Sequence, residues 1–459
     1  MSIITKSFIV SALTAILLAV LCGRAAAQQQ ITGTLPDGAT YLIEVPSNWT
    51  GALLLYSHGY VAPGAPNPAL DVSDPYTRAY TLAVGFALAG SSYASTGWAV
   101  HEAIPDQIAT LDVFEGMFGT PLQTIAWGHS MGGEVTAGLV QQYLDRFAAA
   151  QPMCGVLAGS VGHWNQSLDE IFAFNTLLAG GSLEMVHITN PAQDYGIAAA
   201  ILAAAQTTAQ GQARLALVSA LADTPGWYDP TTMEPAPTDY TTQEANQYLW
   251  AQALPSSFFG RVELEARAGG NPSFNTSVDY AYQLKRSRDY AEVQALYAAA
   301  GLSLDADLAA LKSAPRIAAD ASALTYLSDN VTFNGQLTVP VLTLHTTGDG
   351  VVSVEQERAY TTVVHEADNS ALLRHRFVHR AGHCEFSPAE MITALQRLEL
   401  RLAEGRWKDL DVSGLNNDAA ALGPEFNVID VNGAPYPAGP EFMTDQPRQF
   451  LRIFDAFTQ

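Results

Sequence analysis

Two rhythms divide this chain. From about residue 50 to 158, and again from 339 to 405, short apolar runs alternate with stretches of helical period. Ala52 to Tyr56 predicts a buried strand ending in Ser57-His58-Gly59-Tyr60, and a loop rich in Pro and Gly follows, through Pro63, Gly64, Pro66 and Pro68. Tyr76 to Val84 predicts a helix, Phe86 to Tyr93 a strand, Asp106 to Phe118 a helix and Thr124 to Trp127 another short strand. Glu134 to Phe147 continues as helix and Ala150 to Leu157 as strand. Continuous apolar strands separated by helices predict a mostly parallel sheet with helices on both faces.

At about Ser160 the rhythm breaks. Residues 160–336 are helical in character, with Ala-rich stretches such as Ala198 to Ala205 and Ala213 to Ala222, and no strand-like run of β-branched residues interrupts them. This segment predicts an all-helical insertion. Strand patterns resume at Val339 to His345 and Leu372 to His379, with a helix at Val354 to Ala367 between them, and Pro388 to Gly405 predicts a closing amphipathic helix. The expected organisation is therefore a core of 28–159 and 337–408 interrupted by a helical segment of 160–336. A tail of 409–459, with Pro424, Pro435, Pro437 and Pro440, reads as loop-like.

Residues 1–27 have the pattern of an export signal. Lys6 supplies a positive start, Phe8 to Leu21 an apolar centre, and Ala25-Ala26-Ala27 small residues for cleavage. The apolar run is shorter than the roughly 20 residues a membrane span needs, so no stable membrane anchor is expected and the mature protein is predicted to be secreted or periplasmic. At 48% hydrophobic and 15% charged residues, the chain as a whole has the composition of a globular protein. A net charge of −23 with only 22 Lys and Arg argues against a nucleic-acid partner, because phosphate binding needs cations.

The residues with chemistry lie at predicted strand ends. Gly128-His129-Ser130-Met131-Gly132 is a Gly-x-Ser-x-Gly motif between a strand and a helix, the setting in which a strained turn presents a serine nucleophile. A serine hydroxyl needs a base, and the base an orienting acid. Asp349 follows the strand Val339 to His345, and His383 follows the strand Leu372 to His379. The rivals fit less well: His345 lies inside a strand, His375 and His379 share a strand face, His58 shapes a turn, and His129 is the variable position of the motif. Among acids, Asp106 heads a helix and Asp329 precedes the last strands. Acyl transfer also needs donors for an oxyanion, and the backbone N–H groups of Met131 and Tyr60 are the candidates. Once residues 1–27 are removed, two cysteines remain, Cys154 near the end of a strand and Cys384 beside His383. Their strand ends open at one sheet edge, so a disulfide is expected, with two free thiols as the alternative.

These pieces resemble the α/β-hydrolase superfamily: His58-Gly59, the elbow Gly128 to Gly132, then Asp349 and His383 in that order. The resemblance covers residues 40–158 and 337–405. It implies an α/β-hydrolase fold in which 160–336 is a helical cap. The chain lacks the HGGG signature of one esterase branch, and His129 and Met131 flank Ser130 where the tannase and feruloyl-esterase branch has cysteines. The expected activity is cleavage of a small-molecule carboxylic ester, without metal or other cofactor. A serine peptidase acting on short peptides is the alternative. A non-catalytic binding domain is the third reading, although such relatives usually lose a triad member and none is missing here. Cap aromatics (Trp164, Phe172, Phe174, Trp227, Tyr228, Trp250, Phe258, Phe259 and Tyr280) are candidates for lining a pocket or for holding helices together.

Overall fold

The computed structural model describes residues 28–454; the predicted export signal, with Cys22, lies outside the described residues. Nine strands form one sheet. Two antiparallel edge strands, β1 (Gln29–Thr34) and β2 (Thr40–Val45), lead into a parallel centre. That centre runs β4 (Ala87–Ser91), β3 (Ala52–Ser57), β5 (Gln123–His129), β6 (Ala149–Met153), β7 (Val341–Gly348) and β8 (Leu373–Ala381). β3 to β7 are buried along nearly their whole length, as strands covered on both faces must be. Two apolar layers do the covering. One joins α2 (Val100–Phe118) and α3 (Met131–Gln142), with Ile104, Leu111, Phe114 and Leu139 against the sheet. The other joins α1 (Pro75–Ala83) and α14 (Pro388–Glu404), with Leu82, Leu395 and Leu398.

Between β6 and β7 the chain forms helices only, among the described residues. α4 (Gly159–Leu177), α5 (Pro191–Ala205), α6 (Ala209–Leu221), α7 (Tyr240–Ala251), α8 (Ser257–Ala268), α9 (Tyr280–Arg286), α10 (Tyr290–Ala300), α11 (Leu304–Ser313) and α12 (Ala321–Asn330) follow one another. They enclose an apolar centre of their own around Phe172, Phe174, Leu217, Phe258 and Tyr297. α13 (Gln356–Glu366) then joins β7 to β8. No helix among the described residues is long and apolar enough to cross a membrane.

Several elements differ from the sequence pattern, β6 among them, which ends at Met153 rather than at Leu157. α2 begins at Val100, not at Asp106, and carries Pro105 inside it; proline reads as a breaker, but here the buried face of the helix offsets the one backbone bond that Pro105 removes. α3 ends at Gln142, well before Phe147. The described part of the tail, 409–454, is not loop throughout. It contains α15 (Val412–Ala421), capped by Asp411, a hairpin of β9 (Val428–Val431) and β10 (Ala434–Pro437), and a two-residue strand β11 (Phe442–Met443) that pairs with β8. Strands of two to four residues are too short to show a period, and only the exposed edge of β8 gives β11 a partner. Beyond β11 the tail reaches the helical insertion. Arg452 pairs with buried Asp169 at 2.5 Å and donates to the Phe274 carbonyl at 2.6 Å, and Phe450 is buried against Gly162.

Candidate active site

The loops after β3, β5, β6, β7 and β8 emerge at one edge of the sheet, because parallel strands put all their C-terminal ends on the same side. Ser130 sits between β5 and α3 with φ 59° and ψ −126°, a backbone region that side chains rarely adopt. The surroundings enforce it: its N–H is tied to the Met153 carbonyl at 3.0 Å, while its own carbonyl accepts from Gly133 at 2.8 Å. Two glycines make the turn possible. A Cβ on Gly132 would stand 2.0 Å from the Ser57 carbonyl oxygen, and one on Gly59 would stand 3.3 Å from the Ser130 Cβ. The loop after β3 therefore lies directly against the serine.

Three of the sequence-predicted side chains meet in a hydrogen-bonded line. Ser130 Oγ is 2.8 Å from His383 Nε2, and His383 Nδ1 is 2.7 Å from Asp349 Oδ2. The other Asp349 oxygen accepts from the N–H groups of Val351 and Val352, both at 2.9 Å. The imidazole is 23% exposed and the carboxylate side chain is fully buried, so the line runs from solvent into a dry interior. Burial pushes the Asp349 carboxyl up, but the charge and hydrogen bond of His383, together with the nearby His345, outweigh it and hold the group well below the usual carboxylate range.

Met131 is the first residue of α3, where a backbone N–H has no intrahelical acceptor. Tyr60 follows Gly59 on the loop beside Ser130, and its half-exposed ring leans toward Trp98. His58 shapes that loop. Its Nδ1–H donates to the Gly59 carbonyl at 2.7 Å, its ring stacks on Tyr93 at 4.0 Å, and the Tyr93 hydroxyl donates back to the His58 carbonyl at 2.9 Å. His129 turns away from the serine. It is buried between the Tyr56 hydroxyl and Met391, each at 3.2 Å, and burial followed by the charge of His383 pushes it down to about 3. The rival acids stand elsewhere: Asp106 accepts from the Ala94 N–H at 2.8 Å, and Asp329 is exposed on α12.

Cys154 and Cys384 are joined by a disulfide, with Cα atoms 5.4 Å apart, tying the histidine loop to the end of β6. These two sulfurs and His383 are the one group of potential metal-ligating side chains found close together among the described residues. With both sulfurs oxidised, neither is the thiolate a metal needs. Arg380, 1% exposed, braces the same loop from below. It grips Glu390 with two nitrogens at 2.7 and 3.0 Å and donates to the Glu385 carbonyl at 2.8 Å and the Gly439 carbonyl at 2.9 Å.

Sequence reasoning missed several residues here. His163 on α4 stacks on Trp98 with centroids 5.4 Å apart, and burial, then the charge of His383, pushes it down to about 4. The Trp98 indole N–H donates to Ser160, which donates to Glu134 at 2.7 Å, joining the loop after β4 to α4 and α3. A lone His on a helix gives no signal that it faces a site formed elsewhere. Of the aromatics in the helical segment, Trp164, Phe172, Phe174, Phe258 and Tyr280 are buried among the helices, whereas Trp227, also buried, lies against Gly348 and His379. Trp250 covers Gly350, beside Asp349, and Tyr228 and Phe259 face solvent.

No family model matches the sequence. An o-phthalyl amidase from Xanthobacter agilis is 31% identical over 437 residues, which span 87% of this chain and 94% of that protein. Among solved structures, an esterase from Aspergillus oryzae is 15% identical with a TM-score of 0.41, over 83% of this chain and 80% of its own. The acylaminoacyl peptidase of Pyrococcus horikoshii is 10% identical with a TM-score of 0.39, over 84% of this chain and 43% of its own.

Proposed function

Because this chain belongs to the α/β-hydrolase superfamily, we propose that it is a serine hydrolase that cleaves a carboxylic ester through an acyl-enzyme. The observation that carries the reading is the line Ser130–His383–Asp349, with its contacts of 2.8 and 2.7 Å. Ser130 Oγ attacks the substrate carbonyl while its proton passes to His383 Nε2. Asp349, ionised and buried, fixes the ring so that Nδ1 keeps its proton and Nε2 faces the serine. The negative oxygen of the tetrahedral intermediate accepts from the Met131 and Tyr60 N–H groups. Collapse breaks the bond to the leaving alcohol, which takes the proton from His383. Water then attacks the acyl-enzyme by the same steps, releasing the acid and restoring Ser130. Residues 160–336 act as the cap that selects the acyl group, its His163 stacking on Trp98 of the core, which lies beside Tyr60.

A second reading, favoured by the relative named an amidase, is that the bond cleaved is a carboxamide. The same groups serve it, with His383 delivering its proton to the leaving nitrogen. Wild type and Ser130→Ala assayed side by side on p-nitrophenyl esters and on aryl amides distinguish the two. Ester turnover lost in the variant is expected, and turnover of amides alone would transfer the assignment to the second reading. Failure of both, with no labelling of Ser130 by a fluorophosphonate, would overturn the hydrolase mechanism.

A further inference from the structure

Behind Asp349 stands a second histidine that this mechanism does not use. His345 lies on β7 and is fully buried. Both of its ring nitrogens face acceptors. Nε2 is 2.9 Å from the Val352 carbonyl oxygen and 3.6 Å from Asp349 Oδ2, and Nδ1 is 3.0 Å from Glu357 Oε1. Neither a carbonyl nor a carboxylate oxygen donates, and a neutral imidazole has a single N–H. A neutral ring would therefore leave one acceptor pressed against another in a dry interior, a costly arrangement. With a proton on each nitrogen, both contacts become hydrogen bonds.

The counter-charge is equally well fixed. Glu357, on α13 and 1% exposed, spends its second oxygen on the Thr343 hydroxyl and on His375 Nδ1, each at 2.6 Å. The titratable groups around this pair are Asp349 on the loop after β7, Glu357 and Tyr360 on α13, His375 on β8 and, across Asp349, His383. Burial alone would push His345 down, but the carboxylates of Asp349 and Glu357 raise it to about 10. Glu357 in turn is held down to about 2, despite burial, by its hydrogen bonds from His345 and His375.

We infer that His345 is a positioning residue: a buried imidazolium, anchored by Glu357, that keeps Asp349 ionised and oriented toward His383. The inference rests on the reading of Ser130, His383 and Asp349 as a catalytic triad. With backbone N–H groups on Oδ1, His383 on Oδ2 and a cation 3.6 Å behind, Asp349 is a poor proton acceptor. The proton taken from Ser130 therefore stays on His383, where the leaving group needs it.

Two measurements test this. In 15N-histidine-labelled wild type at pH 7.5, with His345 assigned by its absence in His345→Gln, both ring nitrogens should resonate as protonated; a neutral tautomer would overturn the inference. In folded His345→Gln, kcat on p-nitrophenyl acetate should fall roughly 10- to 100-fold, a loss of the size that follows removal of the outer hydrogen-bond partners of metal ligands, with KM little changed. The acid limb of kcat/KM should move to higher pH, because loss of the cation eases charging of the triad. A folded variant with wild-type kcat and an unmoved acid limb overturns the inference alone. Wild type lacking any Ser130-dependent hydrolysis would overturn the triad reading, and this inference with it.

Discussion

Replacing Arg380 with Met removes one half of a buried ion pair beneath the histidine loop. Arg380 is 1% exposed and Glu390 0%, and the guanidinium meets both carboxylate oxygens. Removing one partner of such a pair costs about 3–5 kcal/mol, because the remaining charge stays buried without compensation. Glu390 keeps some support: the N–H groups of Ser387 and Glu441 donate to it at 2.8 and 3.0 Å, and it sits in the first turn of α14. The carbonyls of Glu385 and Gly439 lose their donor and add to the loss. The expected destabilisation of Arg380→Met is therefore about 4 kcal/mol. The double variant Arg380→Met/Glu390→Gln removes the stranded charge while keeping an acceptor for Ser387, and should recover at least about 2 kcal/mol of it. Urea unfolding followed by tryptophan fluorescence and circular dichroism measures both, with coincident curves licensing the comparison. Activity should fall along with stability, because residues 382–387 lose their brace. A single variant within about 1 kcal/mol of wild type, or a double variant no more stable than Arg380→Met, would refute the reasoning.

The disulfide closes a sequence separation of 230 residues, so Cys154→Ala/Cys384→Ala should lose up to about 5 kcal/mol by the chain-entropy estimate. An unchanged urea midpoint would contradict it. Burial pushes the Glu134 carboxyl up to about 8 from 4.5, so the native state keeps a proton that the unfolded chain releases. Wild-type stability relative to Glu134→Gln should then decline as pH rises from about 4.5 to about 8, by at most roughly 5 kcal/mol; parallel stability-versus-pH curves would show the assignment wrong. Arg452→Met strands Asp169 within the helical segment and should cost about 3 kcal/mol while speeding proteolysis of the tail, and equal cleavage rates for variant and wild type would rule that out.

Local sequence carried the elbow. A strand, a serine between glycines and a helix together require a tight turn, and the turn exposes the serine wherever the rest of the chain goes. His383 and Asp349 were legible for a related reason: each follows an apolar strand, and parallel strands deliver their ends to one edge. That logic brings Ser130 within 2.8 Å of a residue 253 positions away. It stops at residues whose roles depend on what packs against them. His345 and Glu357 read as one strand residue and one helix residue, and only the sheet and α13 set them against each other and against Asp349. Nothing local to Arg380 or Glu390 marks them as a buried pair, which forms only when β8, α14 and the tail enclose them. His163 and Trp98 come from separate segments that meet only when the helical insertion folds back over the sheet. The strand β11 needed an unpaired edge that no local pattern records. Sequence by itself thus determined the parallel sheet, the helical insertion and the three side chains in line, because periodicity and turn chemistry are local. The tertiary structure decided which charges are buried together, because compensation of a buried charge is a property of the assembled interior.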